Sequence, residues 1–97
     1  MAQHVTSQSE IPKAPFYVTL TDTFMSGWGE AKNLTNRLVF PCEDMDEAIG
    51  VSEYAKSRTD TADVRIRRTK PRIHDSHYVQ VMDPDDSVAW YRRGGGK

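Results

Sequence analysis

The sequence predicts a small α+β fold, in which one helix packs on one face of a sheet of about four strands in the order β-β-α-β-β. Two segments alternate between apolar and polar residues, and a segment between them repeats apolar residues at helical spacing. The length of 97 residues allows one domain. We expect a flexible arm over 1–15, the single α+β domain over 16–93 and a disordered tail over 94–97.

The first half of the domain contains two predicted strands. The first covers 16–22, where large apolar residues alternate with tyrosine and threonine. The second covers 37–40 and stops at Pro41. A long polar loop over 24–36 joins them and holds Trp28 between two glycines.

A helix is predicted to follow the second strand. Asp44 can cap its N-terminus, with Glu47 three residues on as the partner in a capping box. Apolar residues then recur at helical spacing as far as Ala55. Gly50 costs about 1 kcal/mol relative to alanine but does not stop the helix.

Two further strands are predicted after the helix, over 63–68 and 78–82, with a turn over 74–77 between them. Because the two strands are close in sequence, we expect them to form a hairpin. The strands on either side of the helix should run parallel or nearly so, joined by a right-handed crossover.

The net charge of −1 hides separate blocks of charge. Residues 41–63 carry seven acidic side chains against two basic ones. In one interpretation the acids are the solvated face of a helix, placed well for its dipole. In the other they imitate the phosphates of nucleic acid and occupy a basic channel of a partner. The candidate partner-binding acids are Glu43, Asp46, Glu47, Glu53, Asp83, Asp85 and Asp86.

The block over 64–74 is basic and contains no acidic residue. A row of guanidinium groups on one strand face can contact successive phosphates, which indicates a nucleic-acid surface. The alternative is a solvated outer strand face that pairs with the acidic residues nearby. The candidate nucleic-acid-binding residues are Arg65, Arg67, Arg68, Lys70 and Arg72.

The loop residue Trp28 has two interpretations as well. A tryptophan exposed between glycines can anchor a protein partner, because such residues dominate interface energies. It can equally fold back and cover the core beside Phe24.

No motif in the sequence supports an enzyme. Phosphate-binding, dinucleotide and nucleophile-elbow patterns are absent. His74 and His77 lie on a predicted turn, where the three or four converging ligands of a metal site are lacking. Cys42, the one cysteine, is expected to be buried packing and cannot form an intrachain disulfide. We therefore predict a non-enzymatic protein without cofactor or metal.

The sequence contains neither a membrane-spanning stretch of about 20 apolar residues nor the apolar core of a signal peptide within 1–15. A single cysteine suits a reducing cytosol. These features predict a cytoplasmic protein.

One run of residues resembles a motif of small proteins from bacteriophages and other mobile elements. The run is 22–31, DTFMSGWGEA, and the likeness continues through 36–39, 47–48, 70–72 and 90–91. The resemblance implies a phage or mobile-element origin and action in a bacterial host cytoplasm. It carries no catalytic or binding residues with it.

Small non-enzymatic phage proteins commonly act by binding a host machine, and anti-CRISPR proteins are the clearest precedent. We therefore expect an inhibitor of a host nucleic-acid-handling complex, with a CRISPR surveillance complex as the suspected partner. In this hypothesis the acidic surface occupies a DNA-binding channel. The alternatives are a small domain that binds nucleic acid directly through 65–72, and a self-assembling phage component.

Overall fold

The structure is a computed structural model that describes residues 3–23 and 33–84. The predicted α+β class is confirmed, with one helix and a mixed sheet of five strands rather than four. A short 3₁₀ turn, Gln8–Glu10, follows the first strand. The elements are β1 (Gln3–Val5), β2 (Phe16–Asp22), β3 (Thr35–Cys42), α1 (Met45–Lys56), β4 (Thr61–Arg67) and β5 (His77–Val81).

The strands lie in the order β1-β5-β3-β2-β4. β2 pairs antiparallel with both β3 and β4, so those two strands run parallel to each other on either side of it. This confirms the parallel relation predicted across the helix and adds that β2 lies between the two strands. β5 pairs parallel with β3, and β1 pairs antiparallel with β5 at the edge.

The predicted hairpin between the last two strands is wrong. β4 lies at one edge of the sheet, whereas β5 is separated from it by β2 and β3. The connection over 68–76 therefore crosses the sheet instead of turning back. Its apolar residue Ile73 packs against a cluster on the face opposite α1, which holds the crossing segment against that face.

The predicted flexible arm is also wrong over the described residues 3–15. β1 adds to the sheet, and Val5 and Ile11 are each 1% exposed. The Tyr17 hydroxyl accepts a hydrogen bond from Ala14 N at 2.8 Å and donates one to Pro12 O at 2.8 Å. These contacts fasten the N-terminal segment to β2. The predicted tail over 94–97 lies outside the described residues, as does Trp28.

Each face of the sheet carries its own apolar cluster. Val18, Leu20 and Phe40 face α1 and pack against Ala48, Val51 and Ala55 of the helix. On the other face, Tyr17 and Val39 pack with Val79 and with Ile11 of the N-terminal segment. The period-2 alternation of β2 and β3 thus divides the side chains between two environments.

β3 runs through Pro41 to Cys42 instead of stopping at the proline. The pairing of β3 with β5 ends at Val39 and Val81, so β5 has no paired residue at the level of Pro41. The missing N–H of Pro41 therefore removes no bond from that ladder.

The N-terminus of α1 is capped as predicted, with one difference. The Asp44 carboxylate accepts from Glu47 N at 2.7 Å, as a cap should. The Glu47 carboxylate reaches one residue further back than the standard box and accepts from Glu43 N at 2.8 Å. The two side chains fix the turn that carries the chain from β3 into α1.

We expect Asp44→Ala to lower the free energy of unfolding by about 1 kcal/mol, because an N–H at the helix N-terminus loses its acceptor. Urea denaturation followed by circular dichroism measures the change. Asp46→Ala is the control, since Asp46 lies in the same turn without this bond and should cost only about 0.3 kcal/mol through the helix dipole. Equal losses from the two substitutions would contradict the capping role.

Candidate functional site

The sheet face opposite α1 carries an open groove of about 740 Å³. Thr19 and Thr21 of β2 line it together with Arg37 of β3, and the crossing segment 68–76 contributes several further side chains. Gln8 of the N-terminal segment lies at its margin. The basic and imidazole side chains that line this basic groove are Arg37, Arg67, Lys70, Arg72, His74 and His77.

The side chain of Gln8, from a distant part of the chain, holds the wall of the basic groove. Gln8 Nε2 donates to Lys70 O at 3.0 Å and to Pro71 O at 3.1 Å. Ile73 anchors the far end of the same segment in the apolar cluster. The loop that carries Lys70 and Arg72 is therefore fastened at two points.

Arg37 is a largely enclosed cation of the groove, and its side chain is 15% exposed. Its Nη1 donates to Thr21 Oγ1 at 2.7 Å and to Asp63 Oδ2 at 3.2 Å. Asp63 also accepts from Arg65 Nε at 2.7 Å, and this hydrogen bond and the charges of both arginines lower the pKa of its carboxyl group. The carboxylate that lines the groove is thus already shared by two guanidinium groups.

Thr19 is 1% exposed, and its Oγ1 has no hydrogen-bond partner among the residues that the structure describes. The residue also lines the basic groove. A buried hydroxyl without a partner destabilises a fold, so buried polar groups are nearly always paired. Thr19 therefore offers the groove an unused donor and acceptor.

Two histidines lie at the β5 end of the groove. The ring centroids of His74 and His77 are 5.1 Å apart in an edge-on arrangement. Burial lowers the pKa of His77, and the positive charges of Arg37 and His74 lower it further. The lowered pKa disfavours the charged form of His77, whereas Arg37 beside it stays charged.

The predicted basic run is divided by the fold. Arg67, Lys70 and Arg72 line the basic groove. Arg65 turns to Asp63, and the Arg68 guanidinium lies 5.8 Å from the centre of the Phe16 ring. Phe16 packs against the cluster that faces α1, so Arg68 contacts the other side of the sheet.

The predicted acidic residues lie on or near α1. Helical spacing puts Asp46 and Glu53 together on its outward face, with Gly50 between them. The exposed side chains Ile49 and Tyr54 flank these acids, at 44% and 40% exposure.

Glu43 and Glu47 lie at the helix N-terminus, where Glu47 is occupied by the cap. The parallel pairing of β3 with β5 puts the exposed residue Asp83 at the same end of the sheet. Asp85 and Asp86 fall outside the described residues.

The acidic and basic surfaces are on opposite sides of the sheet. Within 3–23 and 33–84, no ion pair joins the acids of α1 to the cations of the basic groove. Neither surface is therefore neutralised by the other.

Cys42 is fully buried, and its Sγ donates to Phe40 O at 3.3 Å. Burial, followed by the charges of Glu47 and Asp44, raises the pKa of its thiol to about 12. The thiol is thus a packing group. No three metal-ligating side chains cluster in the described ranges, and no helix there is long and apolar enough to cross a membrane.

Sequence reasoning missed Arg37 and Thr19 as members of the site. The signal that could have found them was the alternation of polar with apolar residues along β2 and β3, which puts polar side chains on one face of both strands. Thr19 and Thr21 share a face of β2, and the antiparallel register sets Arg37 directly opposite Thr21. That register depends on the fold, so the sequence did not connect Arg37 with the basic run.

Comparison of the chain with models of protein families, with curated proteins and with solved structures finds no match.

We expect Thr19→Val to raise the free energy of unfolding by about 1 kcal/mol, because it replaces an unpaired buried hydroxyl with a methyl group of similar size. Chemical denaturation measures the change. Thr69→Val is the control, since Thr69 is exposed at the groove margin and its substitution should change little. A clear loss of stability in Thr19→Val would show that the hydroxyl has a partner in solution.

Proposed function

We propose that the protein binds single-stranded nucleic acid in the basic groove on the open face of its sheet. The observation that carries the proposal is the convergence of four basic side chains on one groove. These cations are Arg37, Arg67, Lys70 and Arg72. The carboxylate in the lining, Asp63, is already neutralised by Arg37 and Arg65. The groove therefore presents an excess of positive charge that a polyanion can neutralise.

The shape of the basic groove favours a single strand over a duplex. The crossing segment 68–76 bounds the groove on one side, and Gln8 fixes that segment in place. A flexible strand can enter such a space with its phosphates toward the cations. Such contacts to phosphates position a strand without reading its sequence.

We expect the double substitution Arg67→Ala/Arg72→Ala to weaken binding of a short single-stranded oligonucleotide and to flatten its dependence on salt. The slope of log affinity against log salt should fall by about 0.7 for each phosphate contact removed. Fluorescence anisotropy over a salt series measures both quantities.

Arg68→Ala is the matched control, because it removes the same charge from a side chain that contacts the other side of the sheet. An equal loss in the control would place the binding outside the groove. The absence of binding to the unmodified protein at low salt would overturn the proposal.

A second candidate function rests on the outward face of α1. Asp46 and Glu53 lie on that face without an ion pair to any described residue, and the exposed side chains Ile49 and Tyr54 flank them. Acids around exposed apolar side chains suit a protein interface with a basic partner. This supports an anti-CRISPR-type inhibitor whose acidic face occupies the DNA-binding channel of a host complex.

For this candidate, Asp46→Lys/Glu53→Lys should abolish inhibition of target-DNA binding by a purified CRISPR surveillance complex, because like charges would then meet. The pair leaves Glu47 untouched, since reversing its charge would break the helix cap. Asp75→Lys, on an exposed turn far from α1 in sequence, is the control and should retain inhibition. Undiminished inhibition by the double variant would contradict the mimic mechanism.

A further inference from the structure

We infer that the floor of the basic groove, formed by Thr19 and Arg37, is a subsite for a phosphate monoester, so that the protein recognises a phosphorylated end. The inference rests on the proposed function and deepens it, because it names the group that the groove prefers. The chemistry belongs equally to the end of a strand and to a free mononucleotide, and the experiment separates these two sources.

The first support is the unused hydroxyl of Thr19. Thr19 lines the basic groove, and its buried Oγ1 has no hydrogen-bond partner within 3–23 and 33–84. A phosphate oxygen can accept its proton in a charge-assisted hydrogen bond, which is stronger than a neutral one. A ligand of this kind satisfies the group that the fold itself leaves unpaired.

The second support is the position of Arg37. Its Nη1 is held by Thr21 and Asp63, which fixes the guanidinium in one orientation. Its Nε and Nη2 donate to no atom of the residues described, so both remain for a ligand. The planar guanidinium group suits oxygens of phosphate in a two-bond contact.

The spacing of these donors fits one phosphate group. Thr19 and Thr21 are two residues apart on the same strand face, which corresponds to about 6.5–7 Å. Arg37 is bonded to Thr21 and so lies at the far end of that span. A tetrahedral phosphate between the two ends can accept from the Thr19 hydroxyl on one side and from the guanidinium on the other.

The depth of the site favours a monoester over an internal diester. Thr19 is 1% exposed and the Arg37 side chain 15% exposed, so both groups lie at the bottom of the groove with neighbouring side chains around them. An internal diester would have to continue in two directions from this floor, whereas a monoester continues in one. A monoester also carries a charge of about −1.5 to −2 near pH 7, against −1 for a diester, and gains more from the surrounding cations.

The experiment compares three versions of one short oligonucleotide: 5′-phosphorylated, 3′-phosphorylated and hydroxyl-ended. Fluorescence anisotropy with an internal label measures their affinities, and titration calorimetry with a nucleoside monophosphate covers the free-nucleotide source. We expect at least one phosphorylated end to bind about tenfold tighter than the hydroxyl-ended strand, the factor that one charge-assisted hydrogen bond supplies.

Thr19→Val should remove most of this preference, because the phosphate loses the hydrogen bond from the Thr19 hydroxyl. Thr69→Val is the matched control at the groove margin and should keep the preference. Arg37→Lys is a second variant, because it keeps the charge but loses the two-bond contact. Arg37→Lys should also reduce the preference for a phosphorylated end. The proposal therefore remains testable even if Thr19→Val alters the fold.

The outcomes separate the two proposals. Equal affinity for all three oligonucleotides, with Arg67→Ala/Arg72→Ala still weakening them, overturns the monoester subsite and leaves the proposed function standing. A preference that survives Thr19→Val and Arg37→Lys also overturns the subsite. Binding of the mononucleotide alone, lost in Thr19→Val, supports the subsite and overturns strand binding. Binding of no probe overturns both.

Discussion

The strict alternation of side chains along β2 is the constraint on which the rest of the molecule depends. β2 lies between β3 and β4, so every other strand position is defined directly or indirectly by its pairing. On one face Val18 and Leu20 pack against the helix, and on the other Thr19 and Thr21 line the groove. A slip of one residue would exchange the two sets and destroy the core and the groove together.

The sheet also separates an acidic surface from a basic one, whose charges nearly cancel in the net charge of the chain. The acids of α1 lie on one side, whereas Arg37 and the cations of the crossing segment line the groove on the other. Charges separated by more than about 8 Å in water are largely screened at physiological salt. Each surface therefore acts on its own surroundings, and the net charge of −1 describes neither of them.

The sequence contains enough information for the local elements and too little for their arrangement. The alternation in β2 and the capping residues Asp44 and Glu47 identify a strand and a helix start, because both signals depend on neighbours in the chain. The pairing of β5 with β3 depends on where a crossing segment packs, which no local pattern specifies.

The N-terminal segment was missed for a related reason. Val5 and Ile11 are isolated apolar residues in a polar stretch, and only the cluster that they join in the folded chain reveals their role. The candidate site, too, is predictable from the sequence in its local pattern but not in its three-dimensional arrangement. The sequence alone shows that 65–72 is basic. Only the fold shows that Arg67 lines the groove whereas Arg68 contacts Phe16 on the other side of the sheet. Arg37 and Thr19 enter the site through strand register and through an unpaired hydroxyl, which are properties of the folded chain.

The pairing of β1 with β5 has a consequence for how the protein is made. β1 is synthesised first among the strands, yet its partner Val79 and the rest of β5 emerge from the ribosome last. Until then Val5 and Ile11 have no finished surface to cover, because β5 supplies Val79 and Val81 to their cluster. The apolar cluster on the face opposite α1 is therefore completed only after β5, the last strand of the described residues, has left the ribosome.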